Sequence, residues 1–153
     1  MTTSKPIPKG EHGITPYLII KGADTAIQFY TRVFGAKEIG RLVMPGGVIG
    51  HAEMQIGDAK FMLSEENIEW GNTSPATLGG TPVTIALYVD DVDATYQLAL
   101  DSGATGTMPV KDEFYGLRVG VFLDPFGHKW HIMSHIEDVS FDEMQRRCDA
   151  MFA

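Results

Sequence analysis

The chain has 153 residues, with 12 Lys and Arg against 20 Asp and Glu and a formal net charge of −8. Such a surface repels phosphate backbones, so we expect no nucleic-acid partner. No apolar run reaches the roughly 18 residues that span a bilayer, and the N-terminus lacks the apolar stretch of a secretory signal. With one cysteine, Cys148, the composition predicts a cytoplasmic protein with no membrane partner and no internal disulfide.

The first half of the chain predicts a flexible lead-in over residues 1–12 and a β-α-β-β-β module over residues 13–66. We expect strands at 14–20, 37–44, 48–56 and 59–64. After the first strand, apolar residues recur at helical spacing from Ala26 to Phe34, and Gly35 supplies the stop. Residues 67–80 are rich in Gly, Ser, Thr and Asn, so they predict a linker loop.

The same order of elements returns over residues 81–137, with strands expected at 83–89, 107–110, 117–123 and 129–135. The segments TPYLIIKGADTAIQFYTRVFGA and VTIALYVDDVDATYQLALDSGA are two copies of one strand–helix–glycine unit. We therefore predict an α+β fold in which tandem β-α-β-β-β modules form a curved mixed sheet around a cleft.

Residues 138–153 predict a C-terminal helix. Ser140 and Glu143 have the spacing of a capping box ahead of a helix at 144–152. The helix carries an apolar stripe, which includes Phe141, Met144 and Cys148. We expect this stripe to pack on the sheet or on a partner subunit.

The stretch from Gly116 to His135 contains two apolar runs separated by the turn Asp124-Pro125-Phe126-Gly127, and it predicts a β-hairpin. Its motif DPFGHKW, together with Thr15–Ala36 and GHAEMQIGDAKFML, resembles the vicinal oxygen chelate superfamily of glyoxalases, bleomycin and fosfomycin resistance proteins and extradiol dioxygenases. The similarity covers residues 13–137, is closest to the PhnB-like branch, and rests on three motifs in the right order. The resemblance implies a glyoxalase-like cleft and a homodimer.

The metal-dependent members of this superfamily place ligands at positions that match Thr15, Met62, Thr84 and His131 in this chain. Of these, only His131 is a strong ligand, because neutral hydroxyls and a thioether do not make a divalent metal site in water. The resemblance and the residues together therefore favour a protein without a metal cofactor.

A non-standard metal site is the alternative. His51 and Glu53 lie two residues apart on one face of a strand and, with His131, would make a His-Glu-His set for Zn, Ni, Mn or Fe. Under this alternative the three residues are catalytic, in a glyoxalase-like lyase or isomerase. The structural interpretation is that His51 and Glu53 hydrogen-bond to each other or to the loop, and orient a neutral pocket.

We therefore predict a glyoxalase/bleomycin resistance-like protein that binds and sequesters a small organic molecule, and we leave open whether it is an enzyme. Arg118 either clamps a ligand carboxylate or phosphonate, or forms a structural ion pair with Asp124 or another acid. Trp70 either covers a ligand as a lid or anchors its loop. The predicted ligand-binding residues are aromatic, sulfur-containing or polar side chains: Tyr17, Met62, Thr84, Tyr88, Arg118, His131, Met133 and Trp70.

Overall fold

The structure is a computed structural model that describes residues 4–153, so the first three residues of the predicted lead-in lie outside the described residues. The chain divides into two compact units, one ending at Leu78 and the other comprising Gly79–Ala153. None of the helices in the described range is long and apolar enough to cross a membrane. In chain order the elements are β1 (Tyr17–Ile20), α1 (Ala23–Phe34), β2 (Lys37–Val43), β3 (Ile49–Ile56), β4 (Ala59–Glu65), a 3-10 helix (Ile68–Trp70), α2 (Pro75–Leu78), β5 (Thr84–Tyr88), α3 (Val92–Asp101), β6 (Thr105–Asp112), β7 (Leu117–Leu123), β8 (Lys129–His135) and α4 (Phe141–Met151).

The two units repeat one sheet topology. The strand order is β1-β4-β3-β2 in the first and β5-β8-β7-β6 in the second. The pairs β1–β4 and β5–β8 are parallel, and the other neighbours are antiparallel. The predicted α+β fold with tandem modules is therefore confirmed. In each unit one face of the sheet packs against α1 or α3, and we call the opposite face the back face.

The core of the first unit lies between α1 and its sheet. The strand residues that bury against the helix alternate along each strand: Leu18, Ile20, Ala52, Met54, Phe61 and Leu63. From α1 come Ala26, Ile27, Tyr30 and Val33, and the helix ends at Gly35, whose φ of 64° is left-handed. Pro16 precedes β1, which begins at Tyr17, and is exposed.

In the second unit the helix side of the sheet is formed around Trp130, Ile132 and Phe122, which are all buried. Tyr96 of α3 lies over two glycines, Gly106 of β6 and Gly120 of β7. A Cβ atom at Gly120 would stand 2.9 Å from Cδ2 of Tyr96, so the ring fits only because these positions lack side chains. Val83, in contrast, is exposed rather than helix-facing, because β5 begins one residue later.

The C-terminal helix begins at Phe141, ahead of the predicted start. The Ser140 hydroxyl accepts a hydrogen bond from the Glu143 amide at 3.2 Å, as a capping box requires. The Glu143 carboxylate does not bond back to the Ser140 amide, because it is bound by Arg146 and Arg147. These bonds, with Arg146 the larger cause, lower the pKa of Glu143 to about 2. Residues 67–80 also differ from the predicted loop, since they include the 3-10 helix and α2.

Candidate functional site

Three polar side chains form a connected row on the back face of the first unit. The Tyr17 hydroxyl forms a hydrogen bond with Nδ1 of His51 at 2.8 Å, and the two ring centroids are 5.5 Å apart. On the other side of the ring, Nε2 lies 3.5 Å from Oε1 of Glu53. His51 and Glu53 thus interact as the structural interpretation expected. The bond to Tyr17 was missed, because it reaches across β4 and only the strand order reveals it.

An open pocket of about 530 Å³ adjoins this row. Thr15, Glu53 and Met62 line it from the sheet, and residues between Pro6 and Gly13 form the other wall. Glu11 of this segment forms an ion pair with Lys60 of β4. Residues that the sequence places in the lead-in therefore contribute to the predicted ligand site.

A second, smaller pocket of about 220 Å³ lies in the same unit and includes Trp70, Met44 and Ser64 among its lining. The indole of Trp70 is 64% exposed, whereas Ser64 is 3% exposed. The Ser64 hydroxyl has no hydrogen-bond partner among residues 4–153. A polar atom of a ligand in this pocket would supply that partner.

The loop that carries Trp70 is tied down by Glu66. Its carboxylate accepts from the amide of Ser74 at 2.8 Å and from the hydroxyls of Ser74 and Thr77, both at 3.0 Å. The amide of Ser74 in particular holds the pKa of Glu66 below its usual range. The ionised carboxylate therefore fixes the position of this loop.

On the back face of the second unit the structure brings together Thr84, Tyr88, His131 and Met133. The parallel register of β5 and β8 pairs Tyr88 with Met133 and Ala86 with His131. Next to them, an open pocket of about 510 Å³ includes Tyr88, His135, Tyr115 and Met144 in its lining. Burial raises the pKa of the Tyr115 phenol.

Arg118 lies on the other face of this sheet, toward α3. Its guanidinium donates to both carboxylate oxygens of Asp93, at 2.7 and 2.8 Å, and to Asp112 at 2.8 Å. These bonds raise its pKa above the usual range, with Asp93 the larger cause. The geometry matches the structural ion pair, with Asp93 and Asp112 as partners in place of Asp124, and it directs Arg118 away from His131.

The donor atoms do not fit the metal site of metal-dependent relatives. Of the matching positions, Thr15 and Met62 in the first unit offer only a hydroxyl and a thioether. Both ring nitrogens of His51 are already engaged, one by Tyr17 and the other by Glu53. Within each unit, the described residues contain no group of three or more His, Cys, Asp and Glu side chains placed to hold a metal ion.

Comparisons with known proteins agree with this architecture. A family model described as the Glyoxalase/Bleomycin resistance protein/Dioxygenase superfamily matches residues 14–132. Among curated proteins, the uncharacterized protein Mb0911c of Mycobacterium bovis is 41% identical over 138 residues, which cover 88% of this chain and 91% of that protein.

Solved structures show the same fold. TioX from Micromonospora sp. ML1 is 26% identical with a TM-score of 0.62, over 85% of this chain and 100% of that one. The PhnB protein from Bacillus cereus is 18% identical with a TM-score of 0.59, over 79% of this chain and 98% of that one. At 18% identity the second comparison supports the fold alone.

Proposed function

Because the chain belongs to the glyoxalase/bleomycin resistance protein/dioxygenase superfamily, we propose that it binds and sequesters a small organic molecule without a metal ion. The observation that carries the proposal is the back face of the first unit. There an open pocket of about 530 Å³ has the volume of a small-molecule site, and Met62 and Glu53 line it beside the exposed ring of Tyr17.

The lining indicates the ligand chemistry. In the first unit Met62 lines this pocket beside the ring of Tyr17, and in the second unit Tyr88 is paired with Met133; in each unit an aromatic ring and a thioether favour flat, polarisable molecules. The carboxylate of Glu53 adds negative charge to a protein whose net charge is already −8. We therefore propose an aromatic ligand that is neutral or positively charged, bound in the cytoplasm by a homodimer of the PhnB-like branch.

Ligand screening tests the proposal. Purified protein is screened against aromatic antibiotics and hydrophobic metabolites by thermal shift, and positive compounds are measured by calorimetry. We expect Met62→Ala and Tyr17→Ala each to weaken binding about tenfold, as the loss of one good contact does. Gln97→Ala, on the exposed surface of α3, is the control and should leave affinity unchanged.

Metal analysis separates this function from the lyase or isomerase alternative. Protein expressed with Zn, Ni, Mn and Fe in the medium is purified without chelator or His-tag, and each metal is counted per chain. We expect far less than one metal per chain and no thermal shift on adding any of the four. Stoichiometric metal that is lost in His51→Ala or His131→Ala would contradict the proposal.

A further inference from the structure

The row of Tyr17, His51 and Glu53 has the arrangement of an activated nucleophile. A hydroxyl lies 2.8 Å from one imidazole nitrogen, and a carboxylate lies 3.5 Å from the other nitrogen. Nucleophilic sites share this order of hydroxyl, base and orienting acid. In the His51 tautomer with its proton on Nε2, that N–H faces the carboxylate and the lone pair of Nδ1 can accept from the phenol.

The surroundings allow a reaction partner to approach. Tyr17 is 46% exposed, and its strand neighbour Met62 lines the larger pocket of the first unit together with Glu53. The side chains of His51 and Glu53 are 28% and 35% exposed, so both are partly shielded from water. An imidazolium formed at His51 would therefore be stabilised by the adjacent carboxylate.

We propose that Tyr17 is a nucleophile, activated by His51 and Glu53, toward acyl and sulfonyl electrophiles that carry a leaving group. The proposal goes beyond ligand binding and does not depend on whether the natural ligand is sequestered. With an aryl sulfonyl fluoride, the Tyr17 oxygen attacks sulfur, an O–S bond forms, the S–F bond breaks and fluoride leaves. The phenol proton passes to Nδ1 of His51, so charge and atoms balance without a further reactant.

A second tyrosine in the chain provides an internal control. Tyr88 is 63% exposed, more than Tyr17, and within residues 4–153 no residue forms a hydrogen bond with its hydroxyl. Exposure alone therefore predicts faster modification of Tyr88, whereas activation predicts faster modification of Tyr17. The two explanations give opposite rankings in one experiment.

The experiment uses the full chain and 4-(2-aminoethyl)benzenesulfonyl fluoride near neutral pH. The rate at each tyrosine is followed by peptide mass spectrometry. We expect Tyr17 to be modified at least tenfold faster than Tyr88. His51→Phe, which keeps an aromatic ring but removes the base, should abolish this preference, and Glu53→Gln should slow Tyr17 severalfold.

Two controls keep the result interpretable. Glu69→Gln, in the exposed 3-10 helix, should leave the rate at Tyr17 unchanged, and circular dichroism verifies that each variant is folded. The rate at Tyr88 within each variant serves as the reference for reagent activity. Modification of Tyr88 at an equal or higher rate in the unmodified sequence, or an unchanged rate at Tyr17 in folded His51→Phe, overturns the proposal.

Discussion

Asp124 is a buried carboxylate at the turn between β7 and β8, with 4% of the residue exposed. One of its oxygens accepts from the amides of Phe126 and His128, at 2.9 and 3.0 Å, and the other accepts from the indole of Trp130 at 2.9 Å. Trp130 is itself buried, so its N–H has no access to bulk water. The turn and the core of the second unit are therefore joined at one side chain.

We expect Asp124→Ala to lower the free energy of unfolding by about 3 kcal/mol or more, because it removes a buried carboxylate that accepts three hydrogen bonds. Asp124→Asn keeps one acceptor oxygen and should lose less. Urea unfolding, followed by circular dichroism, measures both. Asp138→Ala, at a side chain that is 98% exposed, should change stability by less than about 0.5 kcal/mol. Equal losses for Asp124→Ala and Asp138→Ala would contradict this explanation.

Residue-scale geometry was only partly accessible from the sequence. The order Asp-Pro-Phe-Gly predicted the turn, because Pro125 and Gly127 have restricted and permissive φ angles, but it gave no sign that Asp124 also binds Trp130. Arg118 was harder to place, because β7 is buried on both faces over Val119–Phe122 and shows no alternation of polar and apolar residues. Its partner Asp93 lies 25 residues away in sequence.

The position of the loop after β4 depends on the charge of one carboxylate, that of Glu66. Glu66 holds Ser74 and Thr77, and these bonds lower its pKa. A carboxyl whose folded-state pKa is lowered contributes stability above its unfolded pKa, and this contribution is lost as pH falls through the folded pKa. The loop should therefore loosen in acid, from about pH 4.5 downward.

Fluorine NMR of protein labelled with 5-fluorotryptophan tests this expectation, because the chain has two tryptophans. We expect the resonance of Trp70 to shift or broaden below about pH 4.5, while that of buried Trp130 stays constant until global unfolding. Glu66→Gln should produce the acid spectrum of Trp70 at neutral pH, and Glu69→Gln should not. A Trp70 resonance that stays unchanged both in acid and in the Glu66→Gln variant would refute the role of Glu66.

At the scale of elements, periodicity located most helices and strands because their apolar positions alternate or recur every three to four residues. Element ends were less predictable. β1 and β5 are shorter than the apolar runs that contain them, and α2 has only four residues, too few to show a helical period. The 3-10 helix is capped by the Asn67 side chain, which accepts from the Trp70 amide at 3.3 Å.

At the scale of the whole molecule, exposed apolar side chains favour self-association and the net negative charge opposes it. The chain exposes large apolar side chains, among them Phe141 at 87% and Phe152 at 78%. It also carries a net charge of −8, which makes copies of the chain repel one another. The proposed homodimer would bury exposed apolar side chains, but it would also bring two negatively charged chains together.

We therefore expect self-association to strengthen with salt. Because screening shortens the Debye length from about 10 Å at 0.1 M to about 3 Å at 1 M, the dimer dissociation constant should fall severalfold over this range. Sedimentation velocity measures it. Replacing Phe141 and Phe152 together by Ser should weaken the dimer, whereas Gln145→Ser on the same helix should not. A monomer at all salt concentrations, or a dimer indifferent to both Phe substitutions, would contradict this view.

The packing of Tyr96 against Gly106 and Gly120 constrains how this sequence can change over generations. A Cβ atom at Gly106 would overlap the Tyr96 hydroxyl, and one at Gly120 would stand 2.9 Å both from the Tyr96 ring and from Cγ2 of Val110. A smaller residue in place of Tyr96 therefore makes room at Gly106, whereas room at Gly120 also requires a change at Val110. Substitutions at these positions are therefore epistatic. In homologous proteins we expect an alanine or larger residue at Gly106 to be accompanied by a smaller residue at Tyr96, and one at Gly120 to be accompanied by smaller residues at both Tyr96 and Val110.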